Sequence, residues 1–295
     1  MEQDTQKSII RRIVTHPVFL LIFGFITVIA ARIAVEAPFQ AIWPPRGRTD
    51  FDELIVWTLA AGASVLMYWI IVRFIERKPF VDFSLPGAGQ EWLFGAVVGA
   101  GAMSLTVAAI AVFGGYEITG HNGPRVLVAV LAMAIISGVF EEVLIRGVVF
   151  RFLEQWLGSI AALALSALLF GALHLGNPGA TWLAAIAISL EAGILLGAVY
   201  MLTRRLWAAI GLHMAWNATQ GGVFGVKVSG TDVKGLLISE SHGSDLLSGG
   251  AFGAEASLPA IIICTSIGLL MLWRAYKKGH FIWPSWHRFK TGEAA

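Results

Sequence analysis

Uncharged apolar runs alternate with short polar punctuation along most of the chain. The runs at 54–72 and 92–116 contain no charged residue, and each is long enough to cross about 30 Å of hydrocarbon as a helix. A soluble helix of that length shows a polar face every third or fourth position, and these runs do not. Reading the runs and their breaks predicts eight helices, near 17–35, 54–72, 92–113, 125–153, 159–174, 180–203, 206–219 and 257–276. The fold class expected is all-α, a polytopic membrane bundle of about eight transmembrane helices forming a single domain over 1–295. No internal repeat, low-complexity tract or second soluble domain interrupts it.

Two connections are long. The segment 36–52 is rich in Pro and charge, and 220–255 is rich in Gly and Ser, ending in Gly249, Gly250, Ala251, Phe252, Gly253, Ala254 and Glu255. Loops of that length tend to be functional or mobile. Under strict alternation, Lys7, Arg11, Arg12, Arg73, Arg77, Lys78, Arg151, Arg204, Arg205, Arg274, Lys277 and Lys278 fall on one side, and Arg46, Arg48, Arg125, Lys227 and Lys234 on the other. That bias puts both termini in the cytoplasm and the 220–255 loop outside it, with a bacterial-type plasma membrane as the expected location. The stretch 277–290 mixes cations with Phe281, Trp283, Trp286 and Phe289, as an interfacial anchor does. The first apolar block follows Lys7, Arg11 and Arg12, which is also how a signal peptide begins. Seven further spans follow it, and it is read as a retained helix.

Composition agrees with this picture. Of 295 residues 57% are hydrophobic and 14% charged, against about a quarter charged in soluble domains. The net charge of +2 and the lack of a basic stripe point away from nucleic acid. Cys264 is the single cysteine, so it has no partner within the chain for a disulfide and reads as a small buried hydrophobe. The pairs Gly95/Gly99 and Gly193/Gly197 have the spacing that lets membrane helices approach closely.

Ionisable groups inside spans are the informative exceptions, since each costs about 2.5–3.5 kcal/mol to insert. The fourth span carries Glu141, Glu142 and Arg146. Glu142 and Arg146 are four apart and can pair, which leaves Glu141, about 100° away on an α-helix, free for other work. The fifth span ends in Phe170 and His174, and the seventh carries His213 and Asn217 on one face. Taken alone, the last pair could equally be an interhelical clasp. The midpoint between Glu141 and His174 falls at 157–158, where a hairpin turn is expected, so each lies about 24 Å along its helix from that turn and the two face each other at one depth. Glu191, midway along the sixth span, is a further buried acid with a structural or supporting role.

A carboxylate can take a proton from a water held jointly with an imidazole, and a second His with an Asn can donate hydrogen bonds to the oxyanion that forms. That is hydrolytic chemistry. Nucleophilic serine chemistry fits less well, because no serine lies within these motifs. Two His and a Glu also form a familiar zinc set, although the HExxH motif is absent; the cofactor expected is either none or zinc.

At these residues the sequence resembles the CAAX protease and bacteriocin-processing (CPBP, or Abi) family of intramembrane peptidases, related to the type II CAAX prenyl endopeptidases. That family is marked by EExxxR, FxxxH and HxxxN/D, which here read Glu141-Glu142…Arg146, Phe170…His174 and His213…Asn217, in order over about 125–220. The resemblance implies that Glu141 with His174 activates water and that His213 with Asn217 forms an oxyanion hole, in an endopeptidase of glutamate or metal-dependent type. The tail of the long loop, 249–257, is similar to that of bacterial-type members, without an assigned role. The partners implied are the bilayer and a peptide or protein substrate, lipid-modified or membrane-associated ones included. A non-catalytic scaffold or bacteriocin-immunity protein of the same fold is the alternative. A small-solute transporter is a weaker one, because no duplicated halves are visible.

Overall fold

The computed structural model describes residues 10–43 and 47–287; Lys7, Arg46 and Phe289 from the readings above lie outside the described residues. In hydrocarbon every backbone N–H and C=O must be satisfied within the segment, and the charge-free runs accordingly form helices. These are α1 (Pro17–Ile42), α2 (Asp50–Glu76), α3 (Ala88–Val112), α4 (Pro124–Leu157), α5 (Ser159–Gly176), α6 (Trp182–Thr203) and α8 (Leu258–Lys277), all long and apolar enough to cross a membrane. Between α6 and α8 lies α7, eleven α-helical residues (Trp207–Asn217) continued by six π-helical ones (Ala218–Val223). At about 26 Å it is shorter than the rest, yet it reaches both ends of the bundle. Near its start Arg205 pairs with Glu91 at the start of α3 (3.1 Å), and just past its end the Phe224 carbonyl accepts from the Tyr116 hydroxyl just past α3 (2.9 Å). The protein is thus a polytopic all-α bundle and an integral membrane protein.

Helix boundaries follow local chemistry. A reciprocal Thr49–Asp52 capping box opens α2, Ser257 caps α8, and Gly158, at φ 80°, separates α4 from α5 at the expected hairpin. The first helix runs past 35 to Ile42 with Pro38 inside its last turns. An Arg32–Glu36 ion pair at 2.5 Å neutralises the charges it carries there.

Two short strands, β1 (Tyr116–His121) and β2 (Leu237–Ser241), pair antiparallel with a register shift between Ile118 and Gly120. They were not foreseen from apolar periodicity. They tie the Gly/Ser-rich loop to the α3–α4 connection, so this loop is folded over one end of the bundle. At the centre, α3 and α7 touch backbone to backbone: a Cβ at Gly95 or Gly99 would strike the carbonyls of Ala208 or Leu212. The inward half of α4, Val143–Phe150, is buried throughout. Every polar side chain on that stretch must therefore find its partner inside the protein.

Candidate active site

Glu141 closes a π-helical turn, Ile136–Glu141, and Glu142 joins it to a second π-helical stretch, Val143–Phe150. Such turns are rare and gather at functional sites. Both neighbouring carboxylates point into the bundle. Glu142 is fully buried, and its Oε1 accepts from Arg146 Nη1 (2.9 Å) and His213 Nδ1 (2.9 Å). Arg146 Nη2 also donates to the carbonyls of Ala192 and Gly193 (3.1 and 3.4 Å), which belong to a π-helical turn of α6, Ser189–Gly193. Its guanidinium lies over the Phe170 ring at 4.7 Å. One ion pair therefore binds α4 to α5, α6 and α7. Phe170 in turn meets His174 edge-on at 4.7 Å and His213 at 6.1 Å, so the Phe of FxxxH packs three functional groups at once.

The hydrogen bonds set both imidazoles in the same tautomer. A carboxylate paired with Arg146 only accepts, so His213 carries a proton on Nδ1 and turns Nε2 toward Glu141, whose Oε2 lies 3.9 Å away. His174 places Nδ1 2.7 Å from the Phe170 carbonyl, which also only accepts, so its Nε2 is the free nitrogen. No ion pair joins Glu141 to His174 among the described residues. Glu141 Oε2 is enclosed and has no hydrogen-bond partner among them. Asn217 Nδ2 donates to Ser137 Oγ (2.8 Å), whose own proton goes to the Met133 carbonyl (2.9 Å). Ser137, one turn before Glu141, was outside the sequence motifs; with its proton committed it orients Asn217 rather than acting as a nucleophile.

Glu141, His174, His213 and Asn217 all line one cavity of about 710 Å³. A neighbouring cavity of about 410 Å³, with Ile29, Ile33, Leu144 and Leu173 in its walls, shares Glu141 and His174. Glu142 and Arg146 form the wall behind them. Glu191 is buried beside His174 and His213, with the Cys264 thiol in hydrogen-bond reach. All seven residues singled out from the sequence therefore gather in one region.

Glu255 joins them and had no role in the sequence reading. It is 2% exposed, accepts from the Ser229 backbone N–H, and shares a cavity of about 20 Å³ with Glu191, His174 and His213, room for about one water. Burial pushes its carboxyl above the usual range, against hydrogen bonds from Ser229 and the field of His174. The signal for it was the glycine run. Gly249, Gly250 and Gly253 have φ of 82°, 56° and 118°, and a Cβ at Gly253 would strike the Lys227 carbonyl. Only glycine makes that turn, and the turn sends Glu255 inward.

A zinc site needs three or four N, O or S donors converging at about 2 Å. Among the described residues no three His, Cys, Asp or Glu side chains converge in that way, so this donor set does not fit the metal as it stands.

Residues 123–219, from the start of α4 through α7, match the family described as Type II CAAX prenyl endopeptidase Rce1-like. No curated protein and no solved structure matches the chain. The matched segment, about a third of the chain, carries Glu141, Glu142, Arg146, His174, Glu191, His213 and Asn217, and over that segment the chain is similar to the Rce1-like CAAX-type membrane proteases.

Proposed function

We propose that the protein is an intramembrane endopeptidase that hydrolyses a peptide bond with a water activated by Glu141 and His174, using His213 and Asn217 as the oxyanion hole. The observation that carries this reading is the Glu141 carboxylate. One of its oxygens is enclosed, has no protein partner among the described residues, and faces a histidine nitrogen across a cavity also lined by His174 and Asn217.

Glu141 takes a proton from the water while its oxygen attacks the scissile carbonyl, and the neutral Nε2 of His174 accepts the other water proton in a hydrogen bond that aligns it. The oxyanion accepts from Asn217 Nδ2, which keeps one N–H beyond the bond to Ser137, and from His213 Nε2 when that nitrogen is protonated. Glu142 holds the His213 ring throughout. Glu141 then passes its proton to the departing nitrogen as the C–N bond breaks. Positioned base and oxyanion donors each supply about 10²–10⁴-fold in rate.

The test compares new peptide termini in membranes containing wild-type protein or Glu141→Gln. Termini present with wild type and absent with the variant support the reading; identical profiles, with the variant expressed at equal level, reject it. Because the donors do not converge as a zinc site, prolonged chelation is expected to leave cleavage unchanged. Loss on chelation with recovery on adding Zn²⁺ would overturn the metal-free mechanism.

A further inference from the structure

We infer that the catalytic cavity opens on the outer face of the membrane and receives polypeptide segments that already lie outside the cytoplasm. The substrate half of this inference rests on the endopeptidase reading; the orientation half does not.

Contacts fix which connections share an end of the bundle. At one end, Arg204 pairs with Glu154, Arg205 with Glu91 and Arg151 with Glu76, and Ser159 and Trp156 bond to the segment after α8. At the other end, β1 pairs with β2, the Asn122 side chain bonds the Gly235 carbonyl, and Gly230 packs against the Pro178 carbonyl. The cavity belongs wholly to the second end. Its mouth is formed by Asp50 at the start of α2, Arg125 at the start of α4, Asn177 after α5, and Thr231, Asp232 and Lys234 of the folded loop. No residue of the first end lines it. Toward that first end the way is closed by Phe150, Phe152, Tyr68 and Leu206, each 0–1% exposed.

The two ends differ in charge. Eleven Lys and Arg of the described residues lie at the closed end (Arg11, Arg12, Arg73, Arg77, Lys78, Arg151, Arg204, Arg205, Arg274, Lys277 and Lys278). Arg48, Arg125, Lys227 and Lys234 lie at the open end, with Arg32, paired to Glu36, on the cavity wall. Cations in short connections mark the cytoplasmic side, so the closed end is cytoplasmic and the cavity faces outward. A cytoplasmic segment, a lipid-modified cytoplasmic C-terminus included, would have to cross the closed half of the bundle to reach Glu141. Segments of exported proteins, or the outward-facing flanks of membrane-anchored ones, reach it directly.

Substituted cysteines test this in intact cells with a membrane-impermeant maleimide. Cys264 is fully buried, and the unsubstituted protein measures its background. Asp232→Cys, whose side chain is 85% exposed, and Lys234→Cys report the cavity mouth; Lys278→Cys reports the closed end. We expect near-complete labelling of Asp232→Cys and Lys234→Cys in intact cells, and labelling of Lys278→Cys only after permeabilisation. The reverse pattern, or equal labelling of both ends in intact cells, overturns the inference. The termini lost in Glu141→Gln are expected to map to outward-facing segments, and cytoplasmic ones would overturn the substrate assignment. Outward labelling with no lost termini would reject the peptidase reading and leave the orientation standing.

Discussion

Two buried polar clusters sit at opposite depths of the bundle and are built to different rules. In the cluster at the closed end, Asp82 accepts from Tyr68 (3.0 Å) and Tyr200 (2.9 Å). Glu76 pairs with Arg151 and Lys78, and Glu154 takes Ser159 and both contacts of Arg204. Every oxygen of these three carboxylates has a partner, whereas Glu91 at the same end, paired with Arg205, keeps Oε2 without one among the described residues. At the cavity, Arg146 and His213 share one oxygen of Glu142, while Glu142 Oε2 and Glu141 Oε2 have none among the described residues. A buried acceptor without a partner costs about 1–3 kcal/mol, so each one calls for an explanation. The first cluster holds the connections together; the second keeps acceptors in reserve.

Breaking the shared ion pair is expected to have the largest effect on stability. Arg146→Ala leaves the Glu142 charge buried with only His213 beside it and should cost about 3–5 kcal/mol, read as a large fall in thermal midpoint in detergent. The double variant Glu142→Gln/Arg146→Met sharpens the comparison. It should recover much of that stability while cleavage stays low, because His213 has lost the carboxylate that orients it. Asp82→Ala comes next. It strands two tyrosine hydroxyls at about 1–3 kcal/mol each, and the protein that remains folded should cleave at the wild-type rate. Reduced cleavage per folded molecule would show that the two clusters are not separable.

The smallest effect concerns Glu255. Its folded-state value is raised by burial, so the folded protein keeps a proton there that the unfolded chain releases. The stability this contributes is complete below about pH 4.3, the value for an unperturbed Glu, and is lost as pH rises through the folded value. Glu255→Gln cannot ionise. Between pH 5 and 8 its thermal midpoint should therefore gain on that of the wild type as pH rises, and a constant difference would contradict the assignment.

The sequence made the helices legible because hydrocarbon imposes a length and forbids unpaired charge, so runs such as 92–116 could be little else. The same cost singled out Glu141, Glu142, Arg146 and Glu191, and the expected hairpin near Gly158 put Glu141 and His174 at one depth. Three things were not legible. Periodicity assumes a 100° step, and the π-helical turns around Glu141 and Glu142 depart from it. His213 was paired with Asn217 from their i, i+4 spacing, whereas its ring is held by Glu142, a contact across 71 positions. Apolar patterning is silent on Gly/Ser-rich segments, so neither the β1–β2 pairing nor the inward turn of Glu255 could be read, although the glycines that make that turn were in plain view.

The most direct measurement takes purified Glu141→Gln and a peptide identified from the lost termini, and records hydrolysis and thermal midpoint on one preparation. Hydrolysis reduced at least a hundredfold, with a midpoint equal to or above that of the wild type, is the result expected of a carboxylate kept for chemistry. Hydrolysis at the wild-type rate, or a collapsed midpoint, would contradict the account and make Glu141 one more structural acid.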